Sequence, residues 1–211
     1  MSATAHQIAQ YLLQIKAVRL SPQTPFTWAS GWKSPIYCDN RQLLSYPEIR
    51  SAVADSFAEH IRSKFELPVT VAGVATAGIP HAALIAERLG VPMVYVRSQP
   101  KGHGMGNQIE GKLTEGQPVI VIEDLISTGG SSAKAVEALQ AAGAEVVSLL
   151  AIFSYGFPQS AERFEQMQLS THTLTNLDAL VAEAIKMQYL SEAEMASLQA
   201  WQKDPANWQP A

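Results

Sequence analysis

Two adjacent carboxylates, Glu123 and Asp124, stand between an apolar run and a loop of hydroxyls and glycines in the stretch VIVIEDLISTGGSS, residues 119–132. The β-branched run Val119–Ile122 predicts a strand, and a helix is expected to begin near Ser131. The loop between them carries Ser127, Thr128, Ser131 and Ser132 around Gly129 and Gly130. Unpaired backbone N–H groups at a helix start, together with the positive end of its dipole, favour an anion such as phosphate. Glycines let backbone close around such a group, and hydroxyls add donors. Neither G-x-x-x-x-G-K-[ST] nor G-x-G-x-x-G is present here, and the two acids set the loop apart from both motifs. Carboxylates beside a phosphate would repel it unless they face another part of the ligand. Ribose hydroxyls, which are donors, satisfy that condition, and so does a magnesium hydration shell. The ligand implied is a ribose 5-phosphate; the alternative is a strand-to-helix turn with solvated acids.

Two further stretches have unusual chemistry. From Arg97 to Pro118 the pattern predicts no core strand, and Arg97, Lys101, His103 and Lys112 are interspersed with glycines at 102, 104, 106 and 111. A loop of that length in a compact domain is either functional or unstructured, so a charged surface hairpin is the competing reading. GVATAGIPHAA, residues 73–83, places Thr76, Ala77 and Gly78 at the end of another apolar run. Small residues there would let backbone amides face a ligand, and a tight turn into a helix explains them equally well. Cys38 is the single cysteine, which rules out an intrachain disulfide; a small apolar residue in a strand is its commoner role.

These stretches need elements to hold them. AHQIAQYLLQIKAV has apolar residues at helical spacing, and SYPEIRSAVADSFAEHIRSKF offers Ser45, Pro47 and Glu48 as a helix start. FTWASGWKSPIYCDNR, residues 26–41, reads as a hairpin broken at Ser30-Gly31. Strands are expected at Val69–Val74, Val91–Val96, Val119–Ile122 and Val146–Phe153, with helical GIPHAALIAERLG and SSAKAVEALQAAGA bridging the outer pairs. Nearly continuous apolar strands joined by helices predict a parallel sheet covered on both faces, an α/β fold with ligands at the carboxyl ends of its strands. The C-terminal third reads as two helices, the second capped by Ser191 with Glu194. The chain has 211 residues, 47% of them hydrophobic and 16% charged, with a net charge of -4. That balance disfavours nucleic-acid or membrane-surface binding, and no apolar run approaches the roughly 20 residues of a membrane span. A single domain and a cytoplasmic location are expected.

VIEDLISTGGSS resembles the phosphoribosyl-pyrophosphate (PRPP) motif of type I phosphoribosyltransferases. FTWASGWKSPIYCDNR and VRSQPKGHGMGNQIEG resemble the orotate phosphoribosyltransferase family within that class, in the same order along the chain. The resemblance implies a parallel sheet flanked by helices (about 46–211) under a small N-terminal hood (about 1–45). It implies transfer of the 5-phosphoribosyl group from PRPP to orotate, giving orotidine 5'-monophosphate and pyrophosphate, a step of de novo pyrimidine (UMP) biosynthesis. PRPP would be held by Glu123, Asp124, Leu125, Ile126, Ser127, Thr128, Gly129, Gly130 and Ser131, with Thr76 and Ala77 on the pyrophosphate. Arg97, Lys101 and His103 would form a catalytic lid over the leaving group and exclude water. For His103, proton delivery and simple binding both remain open. Orotate would lie near Tyr37, Cys38 and Ser127, although packing alone also accounts for Tyr37. Magnesium would have no direct protein ligand, being held by PRPP and by waters near Asp124. The resemblance further implies a homodimer whose lid closes the partner's site. Other branches carry lysines where Ala29, Ala77 and Ser98 stand here, and an arginine at Tyr155; Lys33 is a candidate replacement. A transferase for another base and a non-catalytic PRPP-binding RNA regulator are the alternatives, disfavoured by the SPIYCDN and KGHG segments and by the acidic charge balance.

Overall fold

The computed structural model describes residues 2–99 and 108–210. Its N-terminal part comprises α1 (Ala3–Gln14), β1 (Val18–Leu20), β2 (Phe26–Thr27), β3 (Lys33–Ser34) and β4 (Ile36–Cys38), then a 3-10 helix at Asn40–Ser45. The central part runs α2 (Pro47–Lys64), β5 (Thr70–Val74), α3 (Gly78–Leu89), β6 (Met93–Val96), β7 (Ile109–Glu110) and β8 (Pro118–Ile126). It is followed by α4 (Gly130–Ala141), β9 (Glu145–Ser154), α5 (Pro158–Gln166), β10 (Thr171–Asn176), α6 (Leu177–Lys186) and α7 (Glu192–Lys203).

A six-stranded sheet in the order β10-β9-β8-β5-β6-β7 carries the fold, and it is parallel except for β7. Side chains alternate across it. In β8, Ile120 and Ile122 face a core shared with α1, α2, α3, α6 and α7, whereas Val119 and Val121 face a second core under α4 and α5. This is the α/β architecture expected from strands apolar on both faces. All four predicted strands are present, but β8 is longer than Val119–Ile122: it runs through both acids to Ile126 because β9 keeps pairing with it as far as Ile126↔Ser154. Glu123 and Asp124 therefore sit inside the strand rather than after it.

Two short antiparallel pairs cap the N-terminal side. β2 pairs with β3 across Ser30-Gly31, the expected hairpin, with Gly31 at φ 88. β4 pairs instead with β1, a partner upstream of that hairpin. Ser45 is the last residue of the 3-10 helix and Tyr46 is the N-cap of α2, so the expected Ser45–Glu48 capping box does not form; Pro47 in the first turn starts the helix. The Ser191–Glu194 capping box of α7 does form. Within the stretch expected to lack a core strand, Ile109–Glu110 forms a two-residue edge strand against β6.

Candidate active site

The alternation of β8 sends its two acids in different directions. Glu123, in phase with Val119 and Val121, meets the start of α4: its Oε2 accepts from Ser132 Oγ at 3.2 Å and Ser131 Oγ at 3.4 Å. Asp124, in phase with Ile120 and Ile122, looks toward the N-terminal segment, where Arg41 and Cys38 act electrostatically on or are affected by its charge. Burial, reinforced by the negative charge of Asp124, pushes the Glu123 carboxyl up to about 8. The Asp124 backbone N–H donates to Glu123 Oε1 at 3.2 Å, and the two neighbouring carboxyls titrate together. Burial also raises the Asp124 carboxyl, against the lowering effects of the Glu123 hydrogen bond and the Arg41 charge.

Beyond Ile126 the chain turns through Ser127 and Thr128 into α4. Gly129 is the N-cap at φ 75, and a Cβ there would come within 2.7 Å of Phe164 Cζ. The Thr128 carbonyl accepts from Arg163 Nε at 3.3 Å, which ties the loop to α5. Among the described residues, a Cβ at Gly130 would meet only Thr128 Oγ1, at 3.9 Å. Of the apolar residues between acids and loop, Ile126 is buried in the α4 core and Leu125 packs against the other, while both remain paired with β9. Thr76 is exposed and Ala77 buried at the N-terminus of α3, after a cis Ala75–Thr76 peptide that the sequence pattern did not anticipate. Gly78 presses against the Ile122 carbonyl, so this loop and the β8 acids lie side by side.

Arg97 follows β6. Its backbone N–H bonds Gln108 O at 2.8 Å, and its guanidinium lies 3.6 Å from Glu110. A cavity of about 460 Å³ joins Arg97 and Ser98 to Gly130, Ser131 and Lys134, which brings the arginine to the same opening as the phosphate-type loop. Lys101 and His103 lie outside the described residues. On the opposite side, Cys38 Sγ donates to Asn40 Oδ1 at 3.2 Å, and burial with the Asp124 and Asp39 charges pushes the thiol well up, so it is no nucleophile. Tyr37 is half-exposed beside Phe26, with the Arg19 guanidinium 5.1 Å from its ring. Tyr155 is buried among Trp28, Phe157 and Trp201, and its hydroxyl is held well above its usual range by burial and the groups around Cys38. Lys33 Nζ bonds Thr27 Oγ1 at 2.8 Å within the β2–β3 pair.

Residues 39–175 match the family described as Phosphoribosyl transferase domain. The orotate phosphoribosyltransferase of Listeria innocua is 56% identical over 202 residues, covering 96% of this chain and 97% of the relative. The chain belongs to the orotate phosphoribosyltransferase family. The Enterococcus faecalis orotate phosphoribosyltransferase is 51% identical over 99% of both chains. The solved orotate phosphoribosyltransferase of Aeropyrum pernix superposes with a TM-score of 0.74 at 32% identity, covering 87% of this chain and 99% of that one. Four groups beside the expected residues escaped sequence reasoning. Asn40, Arg41 and Arg19 adjoin the expected residues only through β1–β4 pairing and the contact of the 3-10 helix with β8, which no local pattern reveals. Lys134 did leave a signal, since a lysine three places after Ser131 returns to the first turn of α4 at helical spacing.

Proposed function

We propose that the chain transfers the 5-phosphoribosyl group of PRPP to orotate through the site at the carboxyl end of β8. A ring nitrogen of orotate attacks the anomeric carbon and gives up its proton to the departing pyrophosphate or to water; the bond from that carbon to the pyrophosphate oxygen breaks, and the electron pair leaves with pyrophosphate. Positive charge grows on the sugar and negative charge on the leaving group. The observation that carries this reading is the β8 acid pair set beside the α4 N-terminus, where Glu123 accepts from Ser131 and Ser132 and a Cβ at Gly130 would meet only Thr128 Oγ1 among the described residues.

In this reading the backbone N–H groups from Thr128 to Ser131 hold the 5'-phosphate, and the Glu123–Asp124 pair takes the ribose hydroxyls. The Asp124 carboxylate favours the cationic sugar of the transition state. Thr76 and Ala77 take one side of the pyrophosphate, and Arg97, Lys101 and His103 close over it and exclude water. Magnesium, when it accompanies PRPP, neutralises part of the pyrophosphate charge. The anionic Asp124 suits the hydration shell of that ion, and no protein side chain need bind it directly. Orotate lies toward Tyr37, Cys38 and Ser127. The working form is a homodimer with each lid closing the partner's site.

Turnover with PRPP and a panel of orotate, uracil and purine bases tests the assignment. Orotate alone is expected to yield a nucleoside monophosphate and pyrophosphate in equal amounts. Turnover of another base at a comparable rate would overturn the base assignment.

A further inference from the structure

β5 accompanies β8 only as far as Gly73↔Ile122, because the chain then leaves the sheet through the Thr76 loop. β9 continues along the other edge of β8 to Ile126. Among the described residues, one edge of β8 therefore has no strand beside it from Glu123 onward, and a buried carbonyl there needs another donor. The Asp124 carbonyl receives one from Asn40 Nδ2, at 2.6 Å. Asn40 is 0% exposed, and its Oδ1 is used as well, accepting from Cys38 Sγ. A single side-chain amide thus spans from the backbone of Asp124 to the Tyr37–Cys38 segment.

We propose that Asn40 is a positioning residue for the transfer: it fixes the ribose-facing acid and the base-facing segment at one separation, so that the base meets the anomeric carbon in line. The proposal rests on the reading that Asp124 faces the ribose and residues 37–38 face the base. Asn40 touches neither substrate and acts through the groups it joins. Its loss leaves the loop from Thr128 to Ser131 untouched, so PRPP still binds, while the two reactants lose their mutual alignment. An alignment error of about an ångström costs up to about a hundredfold in rate.

Asn40→Asp keeps the shape but cannot donate to the carbonyl, and Asn40→Ser is too short to span both partners. Val53→Ala, in the buried face of α2, serves as a control that lowers Tm away from the site. Steady-state kinetics with orotate and PRPP, calorimetric PRPP affinity and Tm are measured for all three, with Asp124→Asn in parallel. Both Asn40 variants are expected to lose about ten- to hundredfold in kcat, with PRPP affinity within about threefold of wild type. The control is expected to keep its kcat. If either folded Asn40 variant matches the control in kcat, or loses activity only in proportion to PRPP affinity, the proposal is overturned. Should neither variant fold, Asn40→Gln, which retains both amide functions, is measured in the same way; wild-type kcat despite the altered reach would overturn the proposal. Wild-type PRPP affinity and turnover in Asp124→Asn would instead remove the ribose reading. Loss in Asp124→Asn with kcat intact in the Asn40 variants would remove only the role of Asn40.

Discussion

Glu123 and Asp124 are adjacent in sequence yet perform opposite electrostatic tasks, because a strand turns alternate side chains to opposite faces. Glu123 meets the α4 hydroxyls and its carboxyl is pushed up to about 8, whereas Asp124 faces the N-terminal segment and the Arg41 charge. Glu123→Gln preserves a neutral hydrogen-bonding group and is expected to keep turnover at neutral pH within a few-fold. Asp124→Asn removes a charged hydrogen-bond acceptor and is expected to lower PRPP affinity and turnover by roughly ten- to hundredfold, with Tm little changed. Steady-state kinetics on both variants separate the two roles. The same assignment has a signature in stability. The folded state holds the Glu123 proton more tightly than the unfolded chain does. Its contribution is therefore fully present below the ordinary carboxylate value of 4.5 and is lost as pH rises toward about 8. Wild-type Tm is expected to decline across that interval, and Glu123→Gln, which cannot titrate, to flatten the decline. A Tm profile of the same slope in both proteins would contradict a neutral Glu123.

At the scale of elements, the two glycines at the start of α4 differ in their surroundings, and the proposed phosphate site gives them different tasks. Gly129 needs its left-handed backbone and the space beside Phe164, so Gly129→Ala is expected to destabilise the fold by about 1–3 kcal/mol. At Gly130 the protein leaves room, and a valine there competes with ligand instead. Gly130→Val is expected to retain Tm while losing at least about tenfold in affinity for PRPP and orotidine monophosphate alike, because both carry the 5'-phosphate. Calorimetry with the two ligands decides the matter: loss confined to PRPP would assign the loop to pyrophosphate. A different junction, between α1 and α6, rests on buried Glu183, which accepts from Lys186 Nζ at 2.6 Å, Gln10 Nε2 at 2.7 Å and His6 Nδ1 at 2.7 Å. The hydrogen bonds from Lys186 and Gln10 lead in drawing its carboxyl down to about 2. That stabilisation is fully present above 4.5 and fades as pH falls toward about 2, so Glu183→Gln is expected to lose part of the acid-side slope of Tm. These junctions differ in how visible they were. The α4 loop is a contiguous pattern and reads directly from the chain, whereas Glu183 and His6 are joined only when the fold brings the two ends together. β10 was likewise missed, since its THTLTN sequence is an edge strand with alternating polar residues and lacks an apolar run.

For the whole molecule, the central parallel strands and the loop after β8 were legible because each is a local run whose periodicity or composition states its role. The N-terminal contribution was not: Tyr37 and Cys38 were expected near the base by resemblance, but Asn40 reaches the β8 acids only through a contact across more than eighty residues of chain, the Asn40–Asp124 bond. Sharing between two copies is a further step of the same kind, since residues distant in sequence can also be supplied by a partner. If the lid of one chain closes the other's site, Lys101 and Asp124 of one protomer serve different sites. Lys101→Ala and Asp124→Asn should each be nearly inactive alone. When the two are mixed and allowed to exchange subunits, each mixed dimer places both defects in one site and none in the other. Random exchange makes about half of the dimers mixed, so about a quarter of all sites become intact. A lid that closes over its own chain puts one defect in every site, and mixing then restores nothing. Activity rising toward a quarter of wild type, with exchange followed independently through differently tagged chains, is the expected outcome. Complete exchange without recovery would place Lys101 and Asp124 in the same site and leave the lid acting within its own chain.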